Sequence, residues 1–337
     1  MNDDLILLGH GSGGVLSHRL LSDLVIPALS GTPLSGQDDA AVIEVNGQLL
    51  AFTTDSYVVE PIFFPGGDIG SLAVNGTVND LSMVGAIPLF LSCGLIIEEG
   101  FSREQLATIM NSMRQAAETA GVRIVTGDTK VVPRGKADRL FINTAGIGVF
   151  NNRPPLSGSC AKAGDRIIVS GTIGDHGIAV MAAREGLAMS TDIKSDCAAL
   201  NGLVAEMLDT CGDAVHVLRD PTRGGVATTI KEIALQSDVT ITLDEEAIPL
   251  NPSVKGFCSI LGLDPLYVAN EGKLLAVVAP DAVEALLARM KGHNLGRNSA
   301  IIGEVSAAGA GRVQLKTTVG GLRSVEMLAG EQLPRIC

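Results

Sequence analysis

The chain has 337 residues and a formal net charge of −12, with 46% hydrophobic and 18% charged residues. The composition is that of a globular rather than a disordered chain, and the length suits roughly two domains. The acidic balance disfavours nucleic acid and anionic lipid as partners, and with 3% aromatics and no Trp a stacking platform for single strands is not expected either.

Along the chain, strands and helices alternate. The opening "MNDDLILLGHGSGG" holds two Asp and a four-residue apolar run, so neither a signal peptide nor a membrane span is expected and a cytoplasmic protein is. "QLLAFTTDSYV" (48–58) predicts a strand running into polar residues. Ser102, with Gln105 three residues on, predicts a capped helix that Gly121 ends. "VRIVTGDTK" and "RLFINTAGIGVF" (139–150) predict two more strands. A Pro/Gly/Ser-rich stretch without periodicity then predicts a domain boundary near residue 152. Beyond it, "DRIIVSGTIGDHG" predicts a strand and a glycine turn. Helices are expected over 198–208 and 225–236. A strand is expected at "KLLAVVAP" and a helix from Asp281 as N-cap, with late strands over 301–305 and 313–317. The expected division is an N-terminal glycine-rich segment (1–35), a first domain (36–151), a second α/β domain (152–329) and a mobile tail (330–337).

Six cysteines, none in a CxxC pair, predict small buried hydrophobes at Cys93, Cys160, Cys197, Cys211 and Cys258. Cys337 stands apart: an eight-residue tail reaches at most about 26–29 Å, enough to bring its thiol into a cleft of the same protein. "GHGSGG" (9–14) matches GxGxxG formally, but no strand–helix unit precedes it; an anion-binding nest and a plain flexible terminus both remain open. Acidic residues recur beside Gly, Thr or Asn: Asp38 and Asp39, Asp55, Asp80 and Asp128, each expected at a strand end or turn. Hard oxygen ligands of this kind suit Mg²⁺ held together with substrate phosphates, yet ordinary turn carboxylates remain an equal alternative on composition. Lys130 could reach the same phosphates as Asp128, or be a solvated surface lysine. His176 in "GDHG" is expected as a hydrogen-bonded turn residue rather than a catalyst.

Taken together, "GHGSGG", "QDDAA", "FTTDSYV", "GDTKVV", "FINTAGIG", "SGTIGDHG", "DPTRGGV", "NEGK" and the final "PRIC" resemble the HypE family of hydrogenase maturation factors, in the same order from residue 8 to 337. "TTDS" and "GDT" are shared with the wider superfamily of aminoimidazole ribonucleotide synthetase, selenophosphate synthetase and thiamine monophosphate kinase. The resemblance implies a two-domain α/β fold of that superfamily, its N-terminal domain forming a dimeric β-barrel-like core. It implies that a carbamoyltransferase, HypF, loads a carboxamide onto Cys337. It further implies that ATP drives dehydration of this thiocarbamate to a thiocyanate, and that the cyano group passes to iron on a HypC–HypD complex. By the same resemblance, Asp39, Asp55, Asp80 and Asp128 bind Mg²⁺–ATP, with Asp38 and Asp220 as weaker candidates, and Thr54 and Gly127 belong to the nucleotide motifs. Gly11, Gly13 and Gly14 lie over the phosphates, and Lys130 and Glu271 handle protons near the carboxamide.

Two other readings stand beside this one. A selenophosphate synthetase would carry its reactive residue near the N-terminus beside a Lys, where this chain has His10 and no cysteine. A nucleotide-binding scaffold whose tail only docks a partner would show ATP turnover indifferent to carbamoylation.

Overall fold

The computed structural model describes residues 5–30, 38–186, 192–307 and 309–330; Cys337 and the rest of the tail lie outside the described residues. The N-terminal segment forms two short helices, α1 (Val15–Leu20) and α2 (Ile26–Ser30). There follow β1 (Ala41–Val45), β2 (Gln48–Tyr57), a small hairpin of β3 (Phe63–Phe64) and β4 (Gly67–Asp68), α3 (Ile69–Met83), β5 (Ile87–Glu98), α4 (Arg103–Ala120), β6 (Arg123–Val132) and β7 (Leu140–Val149). They build a five-stranded sheet in the order β1-β2-β7-β5-β6. Only the β5–β6 pair is parallel, because α4 crosses between those strands.

The expected start and stop of α4 are present. The Ser102 hydroxyl accepts from the Gln105 N–H at 3.4 Å, and Gly121 closes the helix in the left-handed conformation. Helix α3 leaves no amphipathic signature, because 13 of its 15 residues are buried. It lies between the inner face of the sheet and the second domain. Asp68 caps it, accepting from Gly70 N–H at 2.7 Å and Ser71 N–H at 3.0 Å.

The second domain adds β8 (Arg166–Val169), α5 (Asp175–Arg184), α6 (Asn201–Cys211), β9 (Val215–Arg219), α7 (Gly225–Gln236), β10 (Thr240–Asp244), α8 (Pro252–Leu261), β11 (Leu275–Val278), α9 (Val283–Gly292), β12 (Ala300–Ser306), β13 (Arg312–Lys316) and β14 (Leu322–Ser324). Its seven strands order as β14-β13-β10-β12-β8-β11-β9. Apolar cores form on both faces, one against α7 and one against α6 and α9, so β8 and β11 are near-continuous apolar runs.

Several expectations are corrected. Asp80 lies on α3, not at a strand end or turn, and Asp55 and Asp128 lie within β2 and β6. The helix expected from residue 198 starts at Asn201, because Asn79 pins the preceding segment to α3 through the Ala198 carbonyl (3.1 Å) and the Leu200 N–H (2.8 Å). Asp281 does not cap α9. Ala282 holds the cap position with no side-chain bond, its backbone already right-handed helical. Of the five internal cysteines only Cys258 is buried; Cys160 is exposed and the other three are half-buried. His176 is buried in the first turn of α5, its Nδ1 2.8 Å from the Ser195 hydroxyl. Among the described residues no helix is long and apolar enough to cross a membrane.

Candidate active site

Five carboxylates converge from distant points of the chain. Asp39 stands in the bend before β1. Asp55 extends from the inner face of β2, two residues from Thr53 and Tyr57, which share that face, and Asp80 comes from α3. The Thr53 hydroxyl ties the first domain's members together, lying 3.0 Å from the Asp39 carbonyl and 2.9 Å from Asp80 Oδ2. Asp220 and Glu271 come from two loops of the second domain. The Asn270 side chain clamps those loops, donating to the Pro221 carbonyl at 2.9 Å and accepting from Gly174 N–H at 2.7 Å. The Glu271 backbone is held on both sides, its N–H donating to Asp196 at 3.0 Å and its carbonyl accepting from Asn79 at 3.0 Å. The side chain of Asn79, next to Asp80 on α3, therefore joins the two domains directly under the site.

Burial sets the electrostatics. It pushes the Asp80 carboxyl well above the usual range, and Asp220, Asp55 and Asp39 add to the rise. Burial also raises Asp39, with Arg219 opposing and Asp220, Glu232 and Asp38 adding. Asp55 is raised by burial against the pull of Arg223. Asp220 is pushed up to about 6 by burial, with Arg219 opposing. Glu271 is raised well above its ordinary value by burial, then by Asp220, Asp196 and Asp55, with Arg223 opposing. Asp39 Oδ2, Asp220 Oδ2 and Glu271 Oε1 are buried without a hydrogen-bond partner. Unsatisfied carboxylate oxygens at this depth are costly unless a cation or donor meets them. Among the described residues no three His, Cys, Asp or Glu side chains are close enough to hold a metal by themselves. That arrangement fits Mg²⁺, which takes one or two carboxylates and completes its shell with phosphates and water.

The other expected residues lie elsewhere. Asp38 accepts from the Gly158 N–H at 2.8 Å and so holds the interdomain linker. Thr54, Asp128 and Lys130 sit on the outer face of the sheet, opposite to Asp55; the pairings Gly94↔Asn143, Gly94↔Asp128 and Ile96↔Lys130 fix this. Thr54 is bonded there by Asn143 at 3.2 Å. Lys130 and Asp128 form an exposed ion pair at 2.6 Å, and Gly127 packs against the Cys93 carbonyl on the neighbouring strand. Gly11, Gly13 and Gly14 meet the second domain: Arg223 donates to the Gly11 carbonyl at 3.0 Å, and Gly13 faces the Arg223 side chain. Sequence reasoning gave no role to the cations Arg219 and Arg223, although both belong to "RDPTRGG". Glu232, on the apolar-patterned α7, carries no local signal at all.

Two family models match: AIR synthase related protein, N-terminal domain, over residues 37–150, and the corresponding C-terminal domain over residues 162–316. The carbamoyl dehydratase HypE of Bradyrhizobium diazoefficiens is 54% identical over 98% of this chain and 95% of its own length. The chain belongs to the HypE family. Among solved HypE structures, one in a HypE–HypF complex superposes with a TM-score of 0.86 at 49% identity, covering 91% of this chain and 99% of that one. A HypE solved in complex with ATP gives 0.83 at 51% identity, covering 99% of this chain and all of the other. The two-domain α/β architecture expected from the motifs is thus the observed one.

Proposed function

We propose that this HypE family member uses ATP to dehydrate a carboxamide carried on the sulfur of Cys337, giving a thiocyanate that supplies the cyanide ligand of a [NiFe] hydrogenase. The observation that carries the reading is the set of buried, partner-free carboxylate oxygens between the two domains, in a chain 51% identical to a HypE that has been solved with ATP. An amide oxygen is a very poor leaving group. In this reading it attacks the γ-phosphorus and ADP departs. The carbon–oxygen bond then breaks to release phosphate, while the nitrogen gives up its two protons and becomes a nitrile. Glu271, with one oxygen free, takes one of these protons, and the other leaves with the phosphate. Asp39, Asp55, Asp80 and Asp220 supply the carboxylates for the nucleotide's Mg²⁺, one or two of them to an ion with the phosphates completing its shell; when bound, Mg²⁺ would neutralise the phosphate charge. Gly11, Gly13 and Gly14 line the nucleotide's approach. HypF loads the carboxamide, as its complex with a HypE supports, and HypC–HypD receives the cyano group.

Intact-mass spectrometry of the carbamoylated protein tests this directly. ATP should cause loss of one water, confined to the peptide that carries Cys337. ADP formation indifferent to carbamoylation, or a label on Cys160, would end the proposal.

The working unit is a homodimer joined through the outer face of the five-stranded sheet. Ile43, Phe52, Ile87, Ile96 and Ile147 are each 40–46% exposed there, an apolar patch that calls for cover. Within one chain the sheet separates Lys130 from Glu271. A shared role for the two therefore requires Asp128 and Lys130, which lie on the edge strand β6, to reach round the edge of the sheet to the site of a second copy. Ile147→Glu would bury a charge at that contact and should yield a monomer by light scattering; an unchanged dimer would refute this interface.

A further inference from the structure

Helix α7 carries two attachments of the N-terminal segment, one turn apart. At the first, the Leu328 N–H donates to the Thr228 hydroxyl at 3.2 Å, and the Leu328 carbonyl accepts from Val15 N–H at 3.0 Å. Gly14 makes the approach feasible: its φ is +79°, and an added Cβ would stand 2.2 Å from the Leu328 oxygen. Just before it, Glu326 is fixed by Lys231 at 2.8 Å and by the Tyr267 hydroxyl at 2.9 Å. At the second attachment, Glu232 uses both oxygens, one 2.9 Å from His18 Nε2 and the other 2.9 Å from Arg219 Nη2. Arg219 Nε in turn lies 2.9 Å from Asp39 Oδ1.

We propose that His18, Glu232 and Arg219 are positioning residues that hold Asp39 with its Oδ2 turned to the Mg²⁺–nucleotide, and that the hold is complete only while the N-terminal segment is seated on the tail root at Leu328. The proposal rests on the reading of Asp39 as a ligand of that metal. Asp39 is a buried anion among other anions, so it needs a cation whose direction is fixed. Two nitrogens of the rigid Arg219 guanidinium reach Asp39 and Glu232 separately, which the point charge of a lysine would not do. Glu232 has no oxygen left to rotate, and His18 ties it to α1. Because α1 also supplies the Val15 N–H to Leu328, releasing the tail root loosens the same helix that steadies Glu232.

The test uses the full-length carbamoylated protein, with ATP-driven water loss and direct ATP binding followed as Mg²⁺ is varied. Removing a contact behind a metal ligand typically weakens metal affinity about 10–100-fold. His18→Ala, His18→Gln and Glu232→Ala should accordingly raise the Mg²⁺ needed for half-maximal rate about tenfold, with kcat reduced far less. Glu232→Gln, which keeps an acceptor for Arg219, should restore most of the affinity. Hydrogen exchange at the Leu328 amide should quicken in both His18 variants. A fall in kcat with unchanged Mg²⁺ dependence, or an unchanged Leu328 exchange rate, would overturn the proposal. Asp39→Asn separates the two layers: if it leaves the Mg²⁺ dependence unmoved, the ligand reading of Asp39 itself fails.

Discussion

Glu271→Gln is expected to slow ATP-dependent water loss from the carbamoylated protein about 10²–10⁴-fold, the usual worth of a positioned general base. ATP binding should survive. The substitution preserves shape, and the backbone of residue 271 is held by Asp196 and Asn79 independently of the carboxylate. Burial and the anionic neighbours raise this carboxyl well above its ordinary value, with Arg223 opposing, which makes it a stronger base than a surface glutamate. The base must be ionised to act, so the wild-type rate should climb with pH along an acid limb shifted upward from the normal carboxylate range. Single-turnover mass spectrometry across pH measures both effects. A variant rate within threefold of wild type, or an equal loss of ATP affinity, would remove Glu271 from the proton-transfer role.

Without Mg²⁺ and nucleotide, the protein should become less stable as pH rises. Asp39, Asp55, Asp80, Asp220 and Glu271 all have folded-state values raised by burial. A raised carboxyl binds its proton more tightly in the folded than in the unfolded chain. Stability is therefore lost from the unfolded value upward, until pH passes the folded value. For Asp220 the window runs from 3.8 to about 6. That span corresponds to a loss on the order of 3 kcal/mol. Glu98 and Asp128 are shifted downward, so their contribution is complete once pH passes their ordinary values of 4.5 and 3.8, below the range from about pH 5 upward in which the trend is tested. Added Mg²⁺–ATP should reverse the trend, because a cation meeting the free oxygens makes the ionised forms the stable ones. Thermal midpoints between about pH 5 and 8, with and without ligand, test this. Apo stability that is flat or rises with pH would contradict the buried-anion account.

Local signals were enough for most surface-facing elements. The Ser102 cap and the Gly121 stop bounded α4, and α7 runs over the expected 225–236. Helix α3 was missed because a helix buried on every side has no polar stripe to give it a period, and Asp80 was misplaced with it. Asp281 was expected to cap α9 because it is the right residue type close to the helix start, but the backbone enters the helix one residue later.

The sequence by itself determined the family, and it put forward acidic candidates for the site: Asp39, Asp55, Asp220 and Glu271 lie in contiguous motifs, whereas Asp80 sits on a helix that local pattern did not reveal. Only the tertiary structure decided which of them meet. Asp128 and Lys130 share the acidic and basic vocabulary of the site, yet strand register turns them to the opposite face of the sheet. Glu232 and His18 have no motif, yet they stand behind Asp39 because the fold brings one side chain of α1 to one of α7 across 214 residues of sequence. Alternation along a strand and packing between distant helices are properties of the folded backbone, and no short stretch of residues encodes them alone.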